Sequence, residues 1–311
     1  MLSKNESEFT ARAMQLVGYL AVFYICLIFL MPPNRLIMQH YHWTPNNYKL
    51  ATASIALLSI VVWFVAFWGY SKLQVYAFAI RKSKEGPHFK RLSAGIMWLA
   101  WSLPIVTITT YALSHSVGTW PTFHNNQVII ANYISLIFPL IAFILISTAA
   151  FGLIGEDRPS PALLSARITM MVFLVIGVLY CFLVFRSLDL TSLSGSNNPY
   201  HLPVWMLIVT IIIPFLYGWF LGFLAAYGIT IFSMNIVGLI YKHALLYLSI
   251  GLAIIILSAM AIQYVNSVFT YSDTVLYDTR FYLLIMFRII SASGFVLLAI
   301  GAHKLMKIEK V

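Results

Sequence analysis

Fewer than one in ten residues of this 311-residue chain carries a charge, and its nine acidic side chains stay out of the apolar parts of the sequence. Glu6, Glu8, Glu85, Glu156, Asp157, Asp189, Asp273, Asp278 and Glu309 all fall between long apolar runs or at their edges. A charge at the centre of a bilayer costs about 2.5–3.5 kcal/mol on insertion scales, so charge this scarce and this segregated marks a chain that lives in lipid. The same scarcity excludes chemistry. Without a carboxylate inside a span there is no carboxylate proton relay and no retinal counter-ion, and no paired acidic motif exists to hold Mg²⁺ on a diphosphate. H-E-x-x-H, P-loop and G-x-S-x-G signatures are missing too. These absences weigh against an enzyme, and no motif names a cofactor or a metal.

Cysteine is almost absent: Cys26 and Cys181 are the only two. Both fall in predicted spans and read as buried free thiols, which pack as small hydrophobes, rather than as a disulfide. The first apolar stretch is long and has no A-x-A-like end, so it reads as an anchor and not as a cleavable signal.

What the chain does have is apolar surface. It is 61% hydrophobic with a mean hydropathy of +0.89, whereas a soluble domain carries about 25% charged residues. Unpaired backbone groups cost several kcal/mol each in hydrocarbon, so the spans must be helices, and the runs are too long and too continuous for barrel strands. About twenty residues cross roughly 30 Å of hydrocarbon. The reading is a single all-α transmembrane domain over residues 1–311, a polytopic bundle of about eight spans at 13–31, 51–70, 92–113, 128–153, 168–185, 204–228, 243–265 and 281–302. The second span is expected to continue as a helix through Lys72, Tyr76 and Ile80. The stretch from 203 to 265 is too long for one helix and is divided at a short link holding Ser233, Asn235 and Gly238.

Lysine and arginine fix the expected orientation. With the N-terminus inside, Lys4, Arg12, Lys72, Arg81, Lys82, Lys84, Lys90, Arg91, Arg158, Arg167, Lys242, Lys304, Lys307 and Lys310 lie on the cytoplasmic side. Arg35, Lys49, Arg186 and Arg280 lie opposite. This bias places both termini in the cytoplasm and the chain in the plasma (inner) membrane as a multi-pass protein. The net charge of +10 therefore faces lipid headgroups, with anionic lipids as the expected partner at the inner face, and not nucleic acid. Its apolar faces leave room for a membrane protein partner or a homo-oligomer.

One cation is left over. Arg288 lies about seven residues, or roughly 10 Å, into the last span. A guanidinium there can bind a carboxylate or a quinone carbonyl, or it can satisfy backbone carbonyls or snorkel to the boundary. Asn132, Gln263 and Asn266 are the nearest amides on other spans and share its outer half, so a polar pocket of Arg288, Gln263, Asn132 and Asn266 is the candidate site. The competing role for these amides is hydrogen bonding between helices, worth about 0.6–2 kcal/mol each. Gly218 and Gly222 form a G-x-x-x-G pair suited to helix packing within the bundle. Pro104 sits mid-span among Ser102, Thr107 and Thr109, hydroxyls that can satisfy the carbonyls a proline frees. His243 and His303 are the histidines best placed for a haem or metal at the inner face. His40 and His42, with His115, His124 or His201, could contribute to a copper or zinc site at the outer face, and water-exposed imidazoles are the default.

Three functions follow as expectations. The first is a transporter-like or channel-like protein with its polar site near Arg288. The second is a non-catalytic membrane subunit or anchor of a larger complex. The third is a membrane redox or lipid-modifying enzyme that uses haem, a metal or a quinone.

Overall fold

The computed structural model of the chain describes residues 2–33, 38–39, 42–115, 138–139, 141–154, 213–234, 238–268 and 274–308. Seven helices run through them: α1 (Leu2–Leu30), α2 (Pro45–Ala79), α3 (Gly86–His115), α4 (Ile141–Ile154), α5 (Ile213–Met234), α6 (Leu239–Val268) and α7 (Thr274–Ile308). No strand occurs among the described residues. Five segments are long and apolar enough to cross a membrane: Glu8–Leu30, Pro45–Ala79, Gly86–Thr109, Leu239–Ala259 and Ile285–Ile308. The expected span 168–185, Asn132, and the first parts of the spans 128–153 and 204–228 lie outside the described residues.

Local chemistry explains the helix ends. Thr44 adopts an extended conformation and its side chain accepts a hydrogen bond from the Asn47 backbone N–H at 3.3 Å, with Pro45 at the first helical position. That is an N-cap followed by the residue whose missing N–H costs nothing there. α2 then continues unbroken for 35 residues, as expected, past the membrane length. At its far end Ser83 accepts from Gly86 N–H at 3.1 Å and α3 begins at once. Pro104 remains within α3, where Thr107 donates to the Leu103 carbonyl at 2.7 Å and Ser102 to the Leu99 carbonyl at 2.6 Å.

The link between the sixth and seventh spans is much shorter than the sequence suggests. α5 runs to Met234 and α6 starts at Leu239. Ser233 does not break the helix, because its hydroxyl returns to the Thr230 carbonyl at 2.6 Å. Gly238 opens the next helix by accepting from Lys242 N–H at 2.9 Å.

Contacts run from helix to helix in chain order, α1 to α2 and onward to α7, and α7 returns to α2. α2 is the hub, touching α1, α3 and α7, and α6 with α7 is the most extensive pair. That pair approaches through glycine. A Cβ built on Gly251 would lie 2.6 Å from the Gly294 carbonyl oxygen, and one on Gly301 would lie 2.7 Å from the Ala244 carbonyl oxygen. Small residues let helix backbones come this close, which is how helices gain dispersion energy in lipid. α4 fits between α3 and α5, with Ile146 against Gly95 and Ala150 against Gly228.

The core holds Trp63, Phe67, Phe89, Phe295, Leu245 and Ile256, all at most 1% exposed. α1 packs mainly on α2, so much of its circumference is bare: Tyr19, Val22 and Leu30 are exposed. Cys26 shares that bare side and is exposed, a correction to the expectation of a buried thiol. Exposure here depends on how many neighbours the helix has, not on the depth of the residue along it.

Candidate functional site

Arg288 sits on α7 with more than a third of its surface exposed. Its electrostatic neighbour is Tyr24 on α1, and Tyr24 in turn interacts with Tyr48 on α2. Tyr111 on α3 interacts with both of these tyrosines. Tyr24, Tyr48 and Tyr111 are 5%, 3% and 8% exposed. The Tyr24 ring lies edge-on to Tyr111 at 5.6 Å and tilted to Trp63 at 5.6 Å. Four helices thus deliver one guanidinium, three phenols and an indole to the end of the bundle where α1 and α3 finish. No ion pair to Arg288 occurs among the described residues.

Such a set can hold a carbonyl or carboxylate. The guanidinium offers a planar fork of donors, phenol hydroxyls donate as well, and the aromatic walls exclude water and strengthen each bond.

Of the amides expected beside Arg288, Gln263 and Asn266 belong to the last turns of α6, and the structure describes their backbone but not their side-chain setting. Asn132 lies outside the described residues. The tyrosines were missed by sequence reasoning, although a signal existed: Tyr24 lies six residues, about 9 Å, before the end of α1, close to the depth assigned to Arg288. Gly222 faces Ile256 on α6 and Phe143 on α4, while Gly218 lies on α5 where only the backbone is described.

A second polar cluster occupies the opposite end. Tyr76 on α2 and Tyr241 on α6 share a hydrogen bond of 3.0 Å between hydroxyls, and Tyr241 reaches Glu85 in the α2–α3 turn at 3.5 Å. Phe89 meets the Tyr76 ring edge-on at 5.0 Å. Ser93 on α3 donates to Gln74 on α2. Thr230 on α5 and Ser249 on α6 bond at 2.6 Å, and Ser249 also donates to the Ala226 carbonyl at 2.7 Å. His88 is pressed onto the backbone of Gly152 on α4. Of the inner histidines, His303 stacks on Trp68 at 5.4 Å whereas His243 is exposed. Among the described residues no three His, Cys, Asp or Glu side chains are grouped to hold a metal.

No family model, curated protein or solved structure matches the chain. The fold and composition therefore define its class directly: an all-helical, membrane-embedded protein.

Proposed function

We propose that the chain is a multi-pass protein of the plasma (inner) membrane with both termini in the cytoplasm. In this reading it is transporter-like or channel-like, and it recognises a small solute bearing a carboxylate or carbonyl group in a cleft at its outer half. The observation that carries this is the lone Arg288 guanidinium set against the Tyr24, Tyr48 and Tyr111 cluster from three other helices. A cation this far into a span is expensive unless something repays it, and intramembrane cations characteristically mark ligand or ion sites. The basic side chains gathered at the opposite end support the orientation.

The test is access and binding. Arg288→Cys, in a chain with Cys26 and Cys181 replaced by Ser, should react with a charged, membrane-impermeant thiosulfonate added from outside. A cysteine that reacts only with lipid-soluble maleimides would place position 288 in lipid and sink the proposal. A panel of small carboxylates and quinones should raise the melting temperature of the parent protein, and Arg288→Leu should abolish that rise with its own fold intact.

A second reading, a membrane subunit docked to another protein, draws on the bare flank of α1. There Tyr19 and Val22 are 64% exposed and Phe23 is 54% exposed. Co-purification of a stoichiometric partner that is lost when Val22 is changed to Trp would favour it over the solute reading.

A further inference from the structure

We infer that the end of α7 holding Lys304 and Lys307, together with Lys72 of α2, is a seat for the phosphate of an anionic phospholipid in the adjacent leaflet. The acyl chains would lie along the outer stripe of α7. That stripe is continuous. Tyr282, Ile289, Val296, Ile300 and Lys307, spaced by sevens and a four, fall within a wedge of about 40° at 100° per residue. All five are exposed, the first four at 70%, 52%, 42% and 36%. Thus a narrow apolar track leads straight to a lysine.

Two further cations, Lys72 and Lys304, flank the end of the track, one on each side. His303 and Lys304 lie about 40° and about 60° to either side of the stripe. On one side His303 stacks on Trp68, and the Lys72 ammonium sits over the same indole at 5.8 Å. On the other, Lys304 lies over Tyr247 of α6 at 4.2 Å. Both lysines are half-buried, so their stems are laid on aromatic shelves that limit their freedom while the ammonium groups remain at the boundary. An aromatic shelf under a basic side chain at this depth suits a headgroup, since indole and phenol rings prefer the interface and lysines attract anionic lipid. The site is separate from the Arg288 cluster, which lies at the other end of the bundle.

The experiment is native mass spectrometry of the full chain released from detergent with phosphatidylglycerol or phosphatidylcholine added. The parent protein should retain phosphatidylglycerol in preference, with one lipid held more strongly than the rest. Each lysine near a membrane surface accounts for about fivefold in affinity. Lys72→Gln, Lys304→Gln and Lys307→Gln combined should therefore lower retention about a hundredfold, to the phosphatidylcholine level. The triple change to arginine keeps the charge and should preserve the preference, which guards against misfolding as the cause. A control triple at the exposed α2–α3 connector, Lys82→Gln and Lys84→Gln within it and Lys90→Gln at the start of α3, should leave the tightly held lipid in place. An unchanged preference in the α2–α7 triple, or an equal loss in the connector triple, would overturn the seat in favour of diffuse attraction to a basic face.

Discussion

The α6–α7 seam brings glycine against facing backbone and is sensitive to a single methyl group. In Gly251→Ala, the added Cβ would sit 2.6 Å from the Gly294 oxygen and 2.7 Å from the Leu298 nitrogen. Relaxed carbon–oxygen contacts are about 3.3–3.6 Å, and the obstacle is backbone on a facing helix, so the two helices must part by roughly 0.5–1 Å. A gap of that size forfeits a quarter to a half of each dispersion well. If about thirty atom pairs at about 0.15 kcal/mol each cross the seam, the loss is about 1–2 kcal/mol, in line with measured costs of overpacking.

Alanine also gains over glycine in helix propensity, by about 1 kcal/mol in water, which would mask the clash in a single comparison. Gly18→Ala on α1 removes that ambiguity, because a Cβ there meets nothing within 4 Å. It collects the propensity gain without the collision. Thermal unfolding of the two variants in one detergent, followed by loss of the monodisperse elution peak, should place Gly251→Ala below Gly18→Ala by about 2–8 °C. Equal melting temperatures, or the reverse order, would mean that the seam is not packed backbone to backbone.

Two other substitutions probe the opposite end of the bundle. Tyr241→Phe removes the 3.0 Å hydroxyl bond to Tyr76 that ties α6 to α2, and should cost about 0.6–1.7 kcal/mol. Adding Tyr76→Phe should cost less than it does in the parent chain, a double-mutant cycle read by the same melting assay. Gly152→Ala would set a methyl 2.0 Å from His88 Nδ1 and should destabilise by about 1–3 kcal/mol. His88→Ala in the same chain should recover part of that loss, and no recovery would separate the two residues.

Depth is legible in a membrane sequence and rotation is not. Apolar length placed Glu8–Leu30, Pro45–Ala79, Gly86–Thr109 and the cores of the last two helices, and the lone cation Arg288 stood out because all eighteen other lysines and arginines lie between or at the ends of the predicted spans. Its neighbours were hidden because they come from three other helices, and nothing in a single sequence says that α7 turns Arg288 towards Tyr24 of α1. Serine in the link misled for a related reason. Ser233 reads as turn chemistry in water, but in lipid its hydroxyl bonds its own helix at Thr230 and the helix continues. Helices also overrun the predicted spans, α2 by nine residues at its far end and α7 by seven at its start, since hydropathy ends at the membrane while backbone hydrogen bonding does not.

The two polar ends are separated by about 20 Å along α2 from Trp63 to Tyr76, and what lies between them constrains any transport reading. Phe67, Phe295, Leu298, Ala225 and Ile256 fill that layer at most 1% exposed. The buried hydroxyls near it do not form a path. Ser71, Ser102, Ser147 and Ser258 each donate to the carbonyl three residues earlier on their own helix. A hydroxyl used in this way has its donor occupied, and its oxygen is left to accept, as that of Ser71 does from Thr10. Among the described helices, then, the layer between the two polar clusters is closed by apolar side chains. Passage would require helices to part, and the α6–α7 seam, held backbone to backbone through Gly251, Gly294 and Gly301, is the costliest place to open. α1 is held mainly by its face on α2 and carries Tyr24 into the cluster. A disulfide or short bifunctional crosslink that pins α1 to α2 should therefore block turnover while sparing binding at Arg288, whereas a crosslink across α6 and α7 should leave both unchanged.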